Sequence, residues 1–214
     1  MTAYVDRAKL ANLFEQEVER FVALHPNSAK RHESAAGPLM NGVPMSWMAK
    51  WPGPFPVYVD RAKGSRFTDV DGIEYVDFCL GDTGAMVGHS PDASIAAIAS
   101  QLQKGITFML PTEDAAVAAQ TLADRFGVPK WQFTLTATDA NRHIIRYARH
   151  VTGRRKILVH DYCYHGTVDE TFANLDDAGN TVSRQNNIGA PVDPSETTIV
   201  VPFNDLDAAE RAFA

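Results

Sequence analysis

Cysteine is almost absent from this chain of 214 residues, which has only Cys79 and Cys163. Two such residues build no disulfide framework and point to a reducing, cytoplasmic setting. Basic charge is not in excess either. Lys and Arg number 20 against 26 Asp and Glu, a net charge of −6. That balance argues against nucleic acid or an anionic membrane as the main partner. No apolar run is long enough to span a bilayer, and no signal-peptide pattern, internal repeat or low-complexity tract occurs. No strand is followed by G-x-G-x-x-G, which ranks a nucleotide-binding α/β domain last. His160 and His165 have neither standard zinc spacing nor a cysteine pair beside them, so no metal is expected. The rest is ordinary globular composition, 45% hydrophobic and 21% charged.

The most informative stretch runs from Phe133 to Asn141. Trp131-Gln132-Phe133-Thr134-Leu135 is aromatic and β-branched enough for a strand. Ile144, Ile145, Ala148 and Val151 then recur at helical spacing, and Gly153 stands where a helix ends. Lys156-Ile157-Leu158-Val159-His160 reads as a second strand. Strand, helix, strand is the unit of a parallel sheet, so the fold class is α/β. The turn Thr136-Ala137-Thr138 offers free N–H groups at a helix start, which suits an anion such as phosphate. The other reading is that Thr136 or Thr138 merely caps the helix.

Around this unit the chain divides at 78/79. Residues 1–78 hold an amphipathic helix with its stripe at Leu10, Leu13, Phe14, Val18, Phe21 and Val22, then an irregular apolar loop, then a small antiparallel meander. The loop, 35–56, is broken by Gly and Pro yet carries Met40, Met45, Trp47, Met48, Trp51 and Phe55. It lies across a cleft or subunit contact, or simply covers the core. In the meander, Asp71-Gly72 signals a two-residue hairpin. Residues 79–214 begin with the glycine-loosened run 81–89. Ser90-Pro91 then caps a helix with Ile95, Ile98 and Leu102 as its buried stripe, and a further helix runs to Phe126 and Gly127. Asp161-Tyr162-Cys163-Tyr164-His165-Gly166 follows the strand at 156–160, where ligands of open α/β sheets bind. Tyr164 can lay a ring over a flat ligand, or simply pack. Residues 174–196 read as a long polar loop, 197–201 as a strand, and Asn204-Asp205 as the cap of a helix still running at Ala214. The chain therefore reads as cut.

These residues resemble the class III, fold type I, pyridoxal phosphate (PLP)-dependent aminotransferases. Asp69-Val70-Asp71-Gly72-Ile73-Glu74-Tyr75-Val76-Asp77-Phe78 resembles that family's D-x-D-G-x-x-Y-x-D-F, and Gly88-His89-Ser90-Pro91 its G-H-x-P. Thr136-Ala137-Thr138-Asp139-Ala140 stands where the family has S-G-T-E-A, and Tyr164-His165-Gly166 matches Y-H-G. The glutamate-1-semialdehyde aminomutase group is the most similar. The resemblance implies PLP as cofactor, held by Thr136, Ala137, Thr138, Tyr164 and His165, with Tyr164 stacked on its ring. It implies a small-molecule amino donor and a keto or aldehyde acceptor, while the apolar 40–55 loop and the incomplete parallel sheet point to a homodimer. Trp47, Asp82 and Thr83 are the candidates to face the substrate, with a turn role as the other reading of Asp82 and Thr83.

Three departures follow. Ala137 replaces the cradle glycine, Asp139 replaces glutamate, and Val43-Pro44-Met45-Ser46-Trp47-Met48 lacks the arginine with which the aminomutases bind a substrate carboxylate. The family's Schiff-base lysine falls beyond Ala214, and none of Lys9, Lys30, Lys50, Lys63, Lys104, Lys130 and Lys156 has its context. No catalytic residue is thus expected among these residues, and the chain alone is expected to be inactive. A non-catalytic phosphate-ligand-binding fragment is the alternative from a different class.

Overall fold

The computed structural model describes residues 5–214 and divides into two compact units, the first ending at Met109, the second Leu110–Ala214. No described helix is long and apolar enough to cross a membrane.

The first unit opens with α1 (Arg7–Leu24), capped by Asp6, whose carboxylate accepts from Lys9 N at 3.0 Å. A second helix, α2 (Pro26–Ala35), follows at once, where the sequence is mostly polar and has no apolar stripe. Proline at its first position suits a helix start, since its missing N–H would be unbonded there. The apolar loop contains short 3-10 turns at Met40–Gly42 and Ser46–Lys50. The meander is present as β1 (Val59–Lys63), β2 (Arg66–Asp69) and β3 (Glu74–Val76), antiparallel in that order. Its β2–β3 turn is longer than two residues. The Asp69 carboxylate accepts from Asp71 N and Ile73 N at 2.9 and 2.8 Å, and this side chain, more than Asp71-Gly72, shapes the corner.

The D-x-D-G-x-x-Y-x-D signature is a clasp. Asp71 accepts from Asn27 N at 2.7 Å and from Ser28 N and Oγ at 3.0 and 2.8 Å, capping α2 from outside. Tyr75 donates to Asp69 at 3.0 Å and lies 2.7 Å from His25 Nε2 at the α1–α2 joint. Asp77 accepts from Cys79 N and Leu80 N and pairs with His89 Nε2 at 2.7 Å, which ties the signature to Gly88-His89-Ser90-Pro91. Gly88 is needed there. At φ +91, a Cβ on it would sit 3.1 Å from Gly64 Cα. Ser90 is not the cap of α3 (Asp92–Leu102). It is left-handed at φ 50, its carbonyl takes Lys63 Nζ, and Pro91 occupies the cap position. The α3 stripe is not buried either. Ile95, Ile98 and Leu102 are each about half exposed, because nothing among the described residues covers that face.

The bond to His89, then those from Leu80 and Cys79, holds the Asp77 carboxyl below the ordinary carboxylate range. For Asp71, burial pushes upward, but bonds from Asn27 and Ser28 outweigh it and the net direction is down. A carboxyl lowered by folding stabilises above its unfolded value, near about 3.9, and that contribution is lost as pH falls through the lowered value. Acidification below pH ~4 is therefore expected to loosen the α2–meander clasp. A pH series of amide exchange at Asn27 and Ser28 in the full-length protein checks this. Exchange that is flat from pH 5 to 3 would contradict it.

The second unit has α4 (Glu113–Phe126) and α5 (Ala137–Thr152), ended by Gly127 and Gly153, both left-handed at φ 68. β4 (Ile157–His160) pairs in parallel with β7 (Thr198–Val201). The strand expected at 131–135 is absent. No strand runs beside it among the described residues, so an extended backbone there has no ladder to join. Phe133 and Leu135 are exposed, and Trp131 instead leans on Phe126 and donates to Val128 O. The polar loop expected at 174–196 contains a hairpin, β5 (Ala173–Leu175) with β6 (Thr181–Ser183). Its turn is closed by Asp176, which accepts from Ala178 N and Asn180 N. Ala173 of that hairpin completes the small core with Val159 and Val200. α6 (Leu206–Phe213) is capped by Asp205, as its sequence suggests.

Candidate functional site

The second unit brings together the start of α5 and the loop after β4. Thr136 is the N-cap of α5. Its Oγ1 accepts from Asp139 N at 3.1 Å and donates to the Asp139 carboxylate at 2.8 Å. Of its two sequence readings, capping is thus the one visible in the geometry. Ala137 and Thr138 fill the first helical positions, where no carbonyl a turn earlier is available to their N–H groups. The Thr138 hydroxyl oxygen accepts from Thr167 N at 3.1 Å, which leaves its proton available to a ligand.

The Tyr164–Thr167 loop is clamped on this turn. Gly166 is buried at φ +80, and a Cβ built on it would lie 2.2 Å from Thr138 Oγ1. Asn141, one turn into the helix, donates to His165 O at 2.9 Å. Tyr164 is 69% exposed, so its ring is open to a flat partner, and His165 is exposed as well. Behind the loop, Arg184 is bonded to Cys163 O and, at 3.0 Å, to Asn174. Burial pushes the Cys163 thiol up, which suits a core role. Thr136 was legible as a possible cap by its residue type. Asn141 carries no sequence signal for its part, because the group it holds is remote in the chain.

The sequence candidates in the first unit fall in two places. Trp47 lines an open cavity of about 520 Å3 between the apolar loop, α1 and the meander. Asp82 and Thr83 lie beside each other in a turn. Leu80, Gly81, Asp82 and Thr83 all have positive φ, at 50, 61, 50 and 77°. Such a run of left-handed residues is costly for side-chain-bearing positions and marks a segment held by its surroundings. Ala85 N to Leu80 O at 2.9 Å closes it.

The family described as Aminotransferase class-III matches residues 47–211. The chain belongs to the class III aminotransferases. Members of this family depend on PLP and have the fold type I architecture. The chain is similar to the glutamate-1-semialdehyde 2,1-aminomutase of Methanocaldococcus jannaschii, with 36% identity over 74% of this chain and 38% of the relative. It is also similar to the crystal structure of a glutamate-1-semialdehyde-aminomutase from Pseudomonas aeruginosa PAO1, a lysine-to-alanine variant in complex with PMP. There the identity is 46% and the TM-score 0.87, over 97% of this chain and 46% of that one. An omega-transaminase from Sphaerobacter thermophilus matches with 33% identity and a TM-score of 0.75, over 86% of this chain and 43% of that one. The chain thus spans less than half the length of the relatives it matches.

The class III cofactor carries a phosphate, and the α5 turn fits one. It offers two first-turn N–H groups, one free hydroxyl proton and the positive end of a 16-residue helix. The small side chain of Ala137 leaves the backbone of the turn approachable.

Proposed function

We propose that the full-length protein is a PLP-dependent aminotransferase that moves an amino group between an amino compound and a keto acid or aldehyde. When bound, PLP supplies the electron sink for chemistry at the amino-bearing carbon. These residues supply its phosphate seat. Ala137 N, Thr138 N and Thr138 Oγ1 donate to the phosphate, Thr136 fixes the helix start, Tyr164 covers the ring, and Gly166 and Asn141 hold the Tyr164-His165 loop in place. The observation that carries this reading is the contact of Gly166 with Thr138, which joins two separate family motifs at one helix N-terminus.

An isomerase of the 2,1-aminomutase type is the second reading, favoured by the names of the similar relatives. The lack of an arginine at 43–48 weighs against it. The enzyme is proposed to act as a homodimer, which would cover the exposed α3 stripe of Ile95, Ile98 and Leu102. The free thiols of Cys79 and Cys163 suit a cytoplasmic setting.

Thr138→Ala tests the seat. A hydrogen bond to a charged group contributes roughly 1.5–3 kcal/mol, so PLP affinity of the full-length protein is expected to fall about tenfold or more. Affinity for pyridoxal, which lacks the phosphate, should change little. An equal fall for both, or a lowered melting temperature alone, would return Thr138 to a structural role.

A further inference from the structure

Resting on that reading, we propose that Arg184 is a positioning residue for the cofactor ring, acting through Tyr164 from the end of the β5–β6 hairpin. Tyr164 makes no hydrogen bond of its own among the described residues, so the peptides on either side set its place. After it, His165 O accepts from Asn141 at 2.9 Å. Before it, the Cys163 carbonyl accepts from Arg184 Nη2. A peptide unit is planar, so a held Cys163 oxygen also orients Tyr164 N and Cα. The Cys163 N–H is occupied as well, donating to His160 O at 3.3 Å.

Arg184 is itself held at both ends. Its backbone N donates to Phe172 O at 2.9 Å, just past the β5–β6 ladder. Its Nε donates to Asn174 Oδ1 at 3.0 Å, and its guanidinium carbon lies 5.8 Å from the centroid of the Phe172 ring. These two supports fix the plane of the guanidinium and aim Nη2 at the loop. Among the described residues Arg184 forms no ion pair with Asp or Glu, whereas Arg142 and Arg149 of the same unit do. A half-buried arginine whose bonds go to a carbonyl and an amide oxygen is holding backbone and not balancing charge.

The test titrates the full-length protein with PLP and with pyridoxal. Both ligands have the ring, so Arg184→Met is expected to weaken both alike, by about tenfold, the effect of one lost hydrogen bond from a charged group. Arg184→Lys keeps the charge without the planar fork and should recover only part of the loss. Coupling separates positioning from stability. With Tyr164→Ala already in place, Arg184→Met should change PLP affinity less than about twofold, because the ring it acts through is gone. The visible circular dichroism of bound PLP should change in the same sense in Arg184→Met and in Tyr164→Ala. Asn174→Ala, which frees Nε alone, should give a smaller loss of the same kind, and it provides the reading should Arg184→Met fail to fold. A lowered melting temperature with both affinities unchanged would make Arg184 a staple of the hairpin and overturn the proposal. So would additive losses in the double variant, or a loss for PLP alone, which is what a charge acting on the phosphate would give. If PLP binds with the Thr138 and Tyr164 dependence of the proposed seat but without dependence on Arg184, the positioning role alone fails. If Tyr164→Ala leaves PLP affinity unchanged, the reading of Tyr164 as the cover of the ring fails and takes the role of Arg184 with it.

Discussion

Gly166→Ala is expected to weaken PLP binding by the full-length protein about a hundredfold or more, roughly 2.7 kcal/mol. The added methyl meets Thr138 Oγ1 at 2.2 Å, Thr138 Cα at 2.9 Å and Thr138 Cβ at 3.0 Å. A hydroxyl could swing aside, but the Cα is backbone at the first turn of α5 and cannot. Gly166 also sits at φ +80, which costs alanine about a further 1–2 kcal/mol. The cheapest relief is for the loop to lift off the helix. That breaks the bonds from Thr167 N to Thr138 and from Asn141 to His165 O, and it moves Tyr164 away from the start of α5. Cofactor titration with a thermal melt measures both consequences. Gly37→Ala is the control, since Gly37 is exposed with nothing within 4 Å of its built Cβ, and it should stay within about 0.5 kcal/mol of wild type. Unchanged PLP affinity in Gly166→Ala would mean that the Thr138–Gly166 contact does not shape the seat.

What could be read from the sequence was local. Gly127 and Gly153 end their helices because only the left-handed region fits there, and a chain of periodic residues followed by glycine announces that. Thr136 and Asp205 announced helix starts by residue type. The failures share one cause, dependence on partners remote in sequence. Trp131–Leu135 has strand composition, yet a strand exists only beside another, and none lies beside it among the described residues. α2 has no apolar stripe because one end is held by Asp71, more than forty residues on, through polar bonds. The β5–β6 hairpin hid in polar residues because its register is set by an Asp176 turn and by a single buried residue, Ala173. For the candidate site, the motifs named a turn and a loop that the fold brings into contact. They could not show that Thr136 spends its hydroxyl proton on Asp139 while Thr138 keeps its own free. Nor could they show that Trp47 shares a cavity with Trp51 and Phe67.

Asp69→Ala is expected to be the most damaging single change in the first unit, at about 2–4 kcal/mol of stability. Asp69 is 1% exposed and accepts from Asp71 N, Ile73 N and Tyr75 Oη. Removing the carboxylate strands three half-buried donors, and a donor left without an acceptor away from water costs about 1–3 kcal/mol. One of them has an escape. Tyr75 Oη is 2.7 Å from His25 Nε2, so its proton can turn to the ring. The two amides have none, because they lie in the turn that the carboxylate shapes. The loss also reaches α2, since the same turn presents Asp71 to Asn27 and Ser28. Burial, and after it the Asp69 carboxylate acting in the same direction, pushes the Tyr75 hydroxyl up to about 12. Asp69→Ala should therefore bring the Tyr75 titration back toward the ordinary tyrosine value near about 10. Tyr75→Phe, which leaves the turn intact, should cost less than Asp69→Ala, and Asp60→Ala at an exposed ion pair should cost under about 0.5 kcal/mol. Urea midpoints of the full-length variants rank the three, and amide exchange at Asp71, Ile73, Asn27 and Ser28 localises the effect. If Tyr75→Phe costs as much as Asp69→Ala, or if the Asn27 and Ser28 amides stay protected in Asp69→Ala, the signature does not clasp α2 to the meander.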